Sequence, residues 1–180
     1  MTRARAVTAL AAVLLLAFVA VVVVVATGDD GGDEASAPTT TGGARTPSRL
    51  SLSPSAAARP FTGLTEAQLA VGGACKRVVI ADSLDERVEG LTGRRDLGPY
   101  DGMLFVFEEP TTSAFTMSGV PVPIDVGFYD ASGAPVSRRR MRPCPRSRAD
   151  CPTYSADAPF SYALETLGGK LPAGALSSCS

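Results

Sequence analysis

Histidine and tryptophan are both absent from the 180 residues. Without histidine, neither a Ser-His-Asp nor a Cys-His pair can form, and no histidine-ligated metal site is possible. Without tryptophan, sugar-ring recognition lacks its largest stacking platform. A dominant charge is missing too. Lysine plus arginine number 17 and aspartate plus glutamate 18, for a net charge of −1. That balance gives no general attraction to nucleic acid or to an acidic partner. The four cysteines, Cys75, Cys144, Cys151 and Cys179, contain no Cys-x-x-Cys pair. A zinc ribbon and a thioredoxin-like redox motif are therefore not expected. No cofactor is implied, and no internal repeat is visible.

What is present begins with export. Arg3 and Arg5 precede an uncharged apolar run over residues 7–26, and Asp29, Asp30, Asp33 and Glu34 follow it. Twenty helical residues rise about 30 Å, the hydrocarbon thickness of a bilayer. Basic residues before the run and acidic ones after it predict a cytoplasmic N-terminus and a translocated C-terminal domain. Residues 1–27 are thus read as a transmembrane anchor, which makes the membrane the first partner. The alternative is a signal peptide, cleaved near Ala26-Thr27-Gly28 to release a secreted protein. Signal peptides usually carry an apolar core of about 7–15 residues, so the longer run here favours the anchor. No cysteine lies where a bacterial lipid anchor would need one. Residues 28–68 are rich in Gly, Ser, Thr, Ala and Pro, with no aromatic before Phe61. Such a stretch buries too little to offset chain entropy and is read as a disordered linker. The folded domain is then expected over residues 69–180.

Within that domain the apolar patterns are short. Residues 75–81 read as a strand. Ser83 and Glu86 have the spacing of a capping box, and Leu84, Val88 and Leu91 would form one apolar helix face, with Gly93 as the stop. Residues 103–107 form a continuous apolar run, read as a buried strand. Residues 113–117, 124–129 and 134–141 supply further strands, with Asp130-Ala131-Ser132-Gly133 as a turn. In residues 160–167, alternation would bury Phe160, Tyr162 and Leu164 and turn Ser161, Ala163 and Glu165 away. Many short strands and one helix predict a mainly β sandwich or barrel. Behind an export signal, an even cysteine count reads as two disulfides. Three pairings are possible, and Cys144–Cys151 with Cys75–Cys179 is favoured because it pins an irregular loop and ties down the C-terminus.

The ordered blocks Ala81-Asp82-Ser83-x-x-Glu86-Arg87-x-x-Gly90-Leu91 and Gly102-Met103-Leu104-Phe105-Val106-Phe107 resemble the bacterial and archaeal domain of unknown function 192. Pro143-Cys144, Cys151-Pro152-Thr153-Tyr154 and Tyr162-Ala163-Leu164-Glu165 extend the resemblance over about residues 75–180. The third block of that family usually reads Phe-Trp-Met-Lys-Asn-Thr, and here Phe115-Thr116-Met117-Ser118-Gly119-Val120 stands in its place. Thr116, Ser118 and Gly119 thus replace Trp, Lys and Asn. The resemblance implies a jelly-roll-like sandwich and no established reaction.

Candidate site residues follow from chemistry out of place. Asp125 sits inside an apolar strand, where a carboxylate needs a partner, and Arg87 on the short helix is the expected one, either as a structural ion pair or as a ligand-binding pair. Glu165 with Asp125 or Asp130 is either an acid–base dyad or, as favoured, a set of strand carboxylates facing solvent. Phe115 and Met117 are core or pocket residues, and Ser83 is a cap rather than a nucleophile. Arg138, Arg139, Arg140 and Arg142, followed by Arg146 and Arg148, form a basic run. It is either a solvated face or a patch for anionic envelope polymers. The expected function is a membrane-tethered, extracytoplasmic and non-catalytic module that binds an envelope ligand or protein partner. The alternative is a carboxylate-dependent enzyme acting on envelope polysaccharide. Nucleic acid is not an expected partner.

Overall fold

The computed structural model describes residues 48–144 and 148–179. The apolar segment 1–27, the first part of the expected linker, Arg146 and the side chain of Arg148 lie outside the described residues. No described helix is long and apolar enough to cross a membrane.

In chain order the elements are β1 (Ser55–Ala56), β2 (Thr65–Val71), β3 (Ala74–Ala81), α1 (Leu84–Glu89), β4 (Gly102–Thr111), β5 (Phe115–Thr116), β6 (Ile124–Tyr129), β7 (Pro135–Met141), β8 (Thr153–Tyr154), β9 (Phe160–Leu167) and β10 (Leu176–Ser178). One sheet runs β1-β2-β3-β4-β9-β6-β7, with β10 also paired to β2, and β5 pairs with β8 as a separate ribbon. The protein is mainly β with one short helix, as expected. The jelly-roll expectation is corrected: the main strands form one open mixed sheet. Its β3–β4 pair is parallel, because residues 82–101 carry the chain over through α1 instead of turning back. Apolar runs reveal strands but not their direction, which depends on that crossover.

Both faces of the sheet are buried. Val79, Ala81, Met103, Phe105, Val126, Phe128 and Ala163 join one core. Their alternate neighbours Val78, Leu104, Tyr162 and Leu164 join another, completed by Leu171 and Leu176 from the C-terminal segment. Period-two alternation delivers this two-sided burial. The sheet also curls. The Leu176 amide donates to the Gly133 carbonyl at 2.8 Å, so β10 at one end meets the β6–β7 turn at the other. Gly133 has φ +85°, and a Cβ there would lie 2.4 Å from the Leu176 carbonyl oxygen; only glycine permits the contact.

Several local expectations need correction. The folded domain starts earlier than residue 69, because β1 and β2 form and Ala57 and Phe61 are buried. The small and polar composition of residues 55–68 hid two strands that gain their stability from pairing, β2 against β3 and β1 against β2. The helix ends at Gly90 rather than Gly93, and Leu84 and Val88 are 69% and 57% exposed, so they do not face the core. In β9, Phe160 enters the opposite core from Tyr162 and Leu164. A register irregularity against β4, between Val106 and Thr111, accompanies that switch of faces.

Disulfides join Cys75 to Cys179 and Cys144 to Cys151, the pairing favoured from sequence. Their sequence separations of 104 and 7 correspond, on chain-entropy grounds, to about 4.7 and about 2.4 kcal/mol of stabilisation. Double Cys→Ser replacement at 75 and 179 is expected to lower the urea midpoint more than the same change at 144 and 151. The opposite order would show that restraint of the unfolded chain is not the main source of the effect.

Candidate functional site

A pocket opens between α1 and the sheet, with a cavity volume of about 480 Å³. That lies within the range of small-molecule sites, roughly 300–1,000 Å³. α1 supplies its lip. The Ser83 hydroxyl accepts from the Glu86 amide, and the Glu86 carboxylate accepts from the Ser83 and Asp82 amides, each at 3.0–3.3 Å. This capping box, predicted from sequence, sets where the helix starts. The helix buries none of its residues. Leu84 and Val88 therefore stand over the pocket mouth as exposed apolar side chains.

The walls are aromatic. Phe105 and Phe107 come from β4 and Phe115 from β5. Phe115 meets Phe105 edge-on at 5.1 Å and Phe128 at 5.5 Å, so neighbouring rings fix its position. Met117 is 1% exposed within the core and does not line the pocket. Thr116 lines it, and its hydroxyl is buried without a hydrogen-bond partner. Sequence reasoning treated Thr116 as a departure from a family pattern and missed this position in the wall.

Glu165 is the unusual group. It projects from β9 into the same pocket and is 6% exposed. Among the described residues its carboxyl has neither an ion pair nor a hydrogen bond. Burial alone pushes its pKa up to about 8, because a charged carboxylate is costly where water is excluded.

The other predicted residues are placed differently. Arg87 does not reach Asp125. Its guanidinium donates to the Asp82 and Val106 carbonyls and lies 4.9 Å from the Phe107 ring centre. Asp125 instead takes a bidentate contact from Arg140 at 2.7 and 3.1 Å and accepts the Gly169 amide. Cross-strand register makes that pair, since Asp125 on β6 lies opposite Arg140 on β7. Those hydrogen bonds hold the Asp125 carboxyl below its ordinary value. The carboxylate dyad is also not built, and Asp125 and Glu165 are buried rather than facing solvent. Asp125 and Glu165 occupy opposite faces of the sheet: Asp125 alternates with the core residues Ile124 and Val126, whereas Glu165 follows Ala163 on their face. Asp130 caps its own turn, accepting from Ser132 and Ala134.

The basic run is likewise dispersed. Arg138 donates to the Leu171 carbonyl, Arg139 pairs with Asp157, and Arg140 is held by Asp125. Alternation along β7 sends Arg139 to one face and Arg138 and Arg140 to the other. Arg142 is exposed beyond the strand end. A single basic face does not form from these four.

One network went unseen in the sequence. Glu66 on β2 holds Arg77 on β3 through two bonds of 2.8 and 2.9 Å and accepts the Tyr100 hydroxyl. Its partners lie far apart in the chain, and it fastens the early strands to the loop before β4.

The Glu165 shift has a direct consequence for stability. In the unfolded chain this carboxyl ionises near 4.5, and in the folded protein near 8. Its contribution is complete below the lower value and is lost as pH rises toward the upper one. The loss between pH 5 and pH 7.5 is about 3 kcal/mol at most. Glu165→Gln is expected to raise the unfolding temperature at pH 7.5 and to flatten stability across that window. An unchanged pH profile in the variant would show that Glu165 ionises normally.

Two solved structures share the fold. One is a protein of unknown function from Novosphingobium aromaticivorans DSM 12444, with 26% identity and a TM-score of 0.55, covering 65% of this chain and 82% of that one. The other, from Sinorhizobium meliloti 1021, is described as a "putative transcription regulator"; it is 24% identical with a TM-score of 0.51, covering 61% and 89%. No curated protein matches the chain. The model of the uncharacterized ACR family DUF192, the domain of unknown function 192, matches residues 67–177. With that match spanning most of the folded domain, the chain belongs to the DUF192 family.

Proposed function

We propose that this protein is a non-catalytic binding module, held outside the cytoplasm by its N-terminal apolar segment, that takes a small ligand in the pocket between α1, β4, β5 and β9. The observation that carries this reading is Glu165: a buried, unpartnered acid facing an accessible aromatic cavity. Structural acids are neutralised by partners within the fold, as Asp125 and Glu66 are here. An acid left without one is destabilising by itself and finds its counterpart in a ligand. Separation of Glu165 from Asp125 and Asp130 argues against acid–base hydrolysis. The basic residues before the apolar run, the acidic ones after it and the two disulfides support the extracytoplasmic placement.

Two measurements test these parts separately. A chemically mixed small-molecule library should contain compounds that raise the unfolding temperature of the disulfide-intact protein. Those shifts should disappear in Thr116→Trp, which places an indole in the pocket wall without adding charge. Shifts that persist in Thr116→Trp would place binding elsewhere. For the tether, the full chain should stay in the membrane fraction after an alkaline wash and be digested by protease added to spheroplasts. Release of a shortened chain into the medium would favour the cleaved-signal alternative.

A further inference from the structure

The chemistry of the pocket identifies a class of ligand, an inference that rests on the binding reading above. We infer that the pocket binds an organic ammonium ion with a compact apolar body, its charged nitrogen placed against the Glu165 carboxylate and its body against Phe105 and Phe115.

Charge decides in favour of a cation. The ionisable residues lining the pocket are Arg87, Glu89 and Glu165. Arg87 and Glu89, both on α1, contribute one charge of each sign to the rim. Arg87 is further engaged by two carbonyls and covers Phe107, so it is not a free receptor for an anion. That leaves Glu165 as the acid whose ionised form has no counter-charge among the lining residues. Its cross-strand neighbours are Met103 on β4 and Val126 on β6. β5 presents Phe115 and Thr116, and none of these four carries a charge. The protein itself thus supplies no cation to Glu165.

Two further features suit an ammonium group. Aromatic faces attract cations through the ring quadrupole, and desolvation strengthens that attraction. The Glu165 carboxylate oxygens accept from the ammonium N–H groups. A neutral alcohol would meet the same walls without the charge term. A carboxylate ligand would face an acid that must stay protonated.

Proton balance gives the test its sharpness. In the empty pocket below pH 8 the Glu165 carboxyl holds its proton. An alkylammonium has an ordinary pKa near that of lysine, about 10.4, so it keeps its own proton when the two meet. Binding therefore releases the Glu165 proton to solvent and leaves a carboxylate–ammonium pair. Affinity should rise about tenfold per pH unit below pH 8 and level off above it.

The probes are phenethylammonium, phenethyl alcohol and 3-phenylpropionate, which share an apolar body and differ in charge. Titration calorimetry of the intact protein at pH 6, 7 and 9, in buffers of different ionisation enthalpy, measures affinity and proton release together. The expected result is preferred binding of the ammonium, about tenfold tighter at pH 7 than at pH 6, with one proton released at pH 6. In Glu165→Gln the ammonium should lose at least tenfold in affinity while the alcohol is unchanged. Equal or tighter binding of the alcohol or the acid, lost in Thr116→Trp, would overturn the ammonium assignment and leave the pocket as the site. Absence of binding by all three probes, while other library compounds still bind and are lost in Thr116→Trp, would also overturn it. If no compound of any charge binds at the pocket, the binding reading itself falls.

Discussion

The structure depends on one strand that is buried on both sides. β9 lies between β4 and β6, hydrogen-bonded to each, and seven of its eight residues are buried. Such a strand cannot turn a polar residue out to water, because neither face reaches water. Every side chain it carries must fit one core or the other. Phe160, Tyr162, Ala163 and Leu164 do so at no polar cost. Ser161, Glu165 and Thr166 do not, and none of their three polar groups has a hydrogen-bond partner among the described residues. The polar groups on β9 are therefore where the chain departs most from simple packing.

Glu165 opens onto the aromatic pocket, whereas Thr166 lines a separate cavity of about 290 Å³ with Leu164 and Tyr100. Phe105, Phe107 and Phe115 line the same pocket as Glu165, and α1 leaves Leu84 and Val88 exposed instead of burying them. Were that helix packed in the ordinary way, its apolar side chains would fill the cavity. The pocket is thus a consequence of an incompletely buried helix above a completely buried strand. The capping box and the anchoring of Arg87 to the Asp82 and Val106 carbonyls hold the helix in that position. Arg87 works as a strut of the pocket wall.

Much of the fold was legible wherever a pattern was local. The strand over residues 124–129, the last clear strand over 160–167 and the capping box at Ser83 all follow from nearby residues, while the disulfide pairing was one of three possible and was favoured for pinning a loop and the C-terminus. What was illegible depended on pairing over distance. β2 reads as polar because Glu66 and Gln68 interrupt it, yet its register with β3 makes it a strand and gives Glu66 to Arg77. Asp125 was rightly suspected of needing a cation, but its partner was assigned to the helix instead of the adjacent strand. Partner choice for a buried acid depends on cross-strand register, which composition does not contain. The candidate site was half visible: Glu165, Phe115 and Arg87 were all singled out, while the lip residues were taken for core.

The altered third block now separates into two physical cases. Gly119 adopts φ +73°, a left-handed conformation in which glycine is unstrained and asparagine is the best tolerated substitute. The family's Asn at this position therefore answers to backbone geometry, and Gly119 answers equally well. Thr116 is different. It lines the pocket with an unpartnered hydroxyl where the family pattern has Trp. An indole is far larger than a threonine side chain and would occupy part of the cavity seen here. The same fold can thus carry a filled or an open cavity according to one wall residue, and in this chain the small residue stands beside the buried acid. A small side chain at residue 116 leaves room in the pocket that Glu165 also lines, and glycine at 119 suits the left-handed turn.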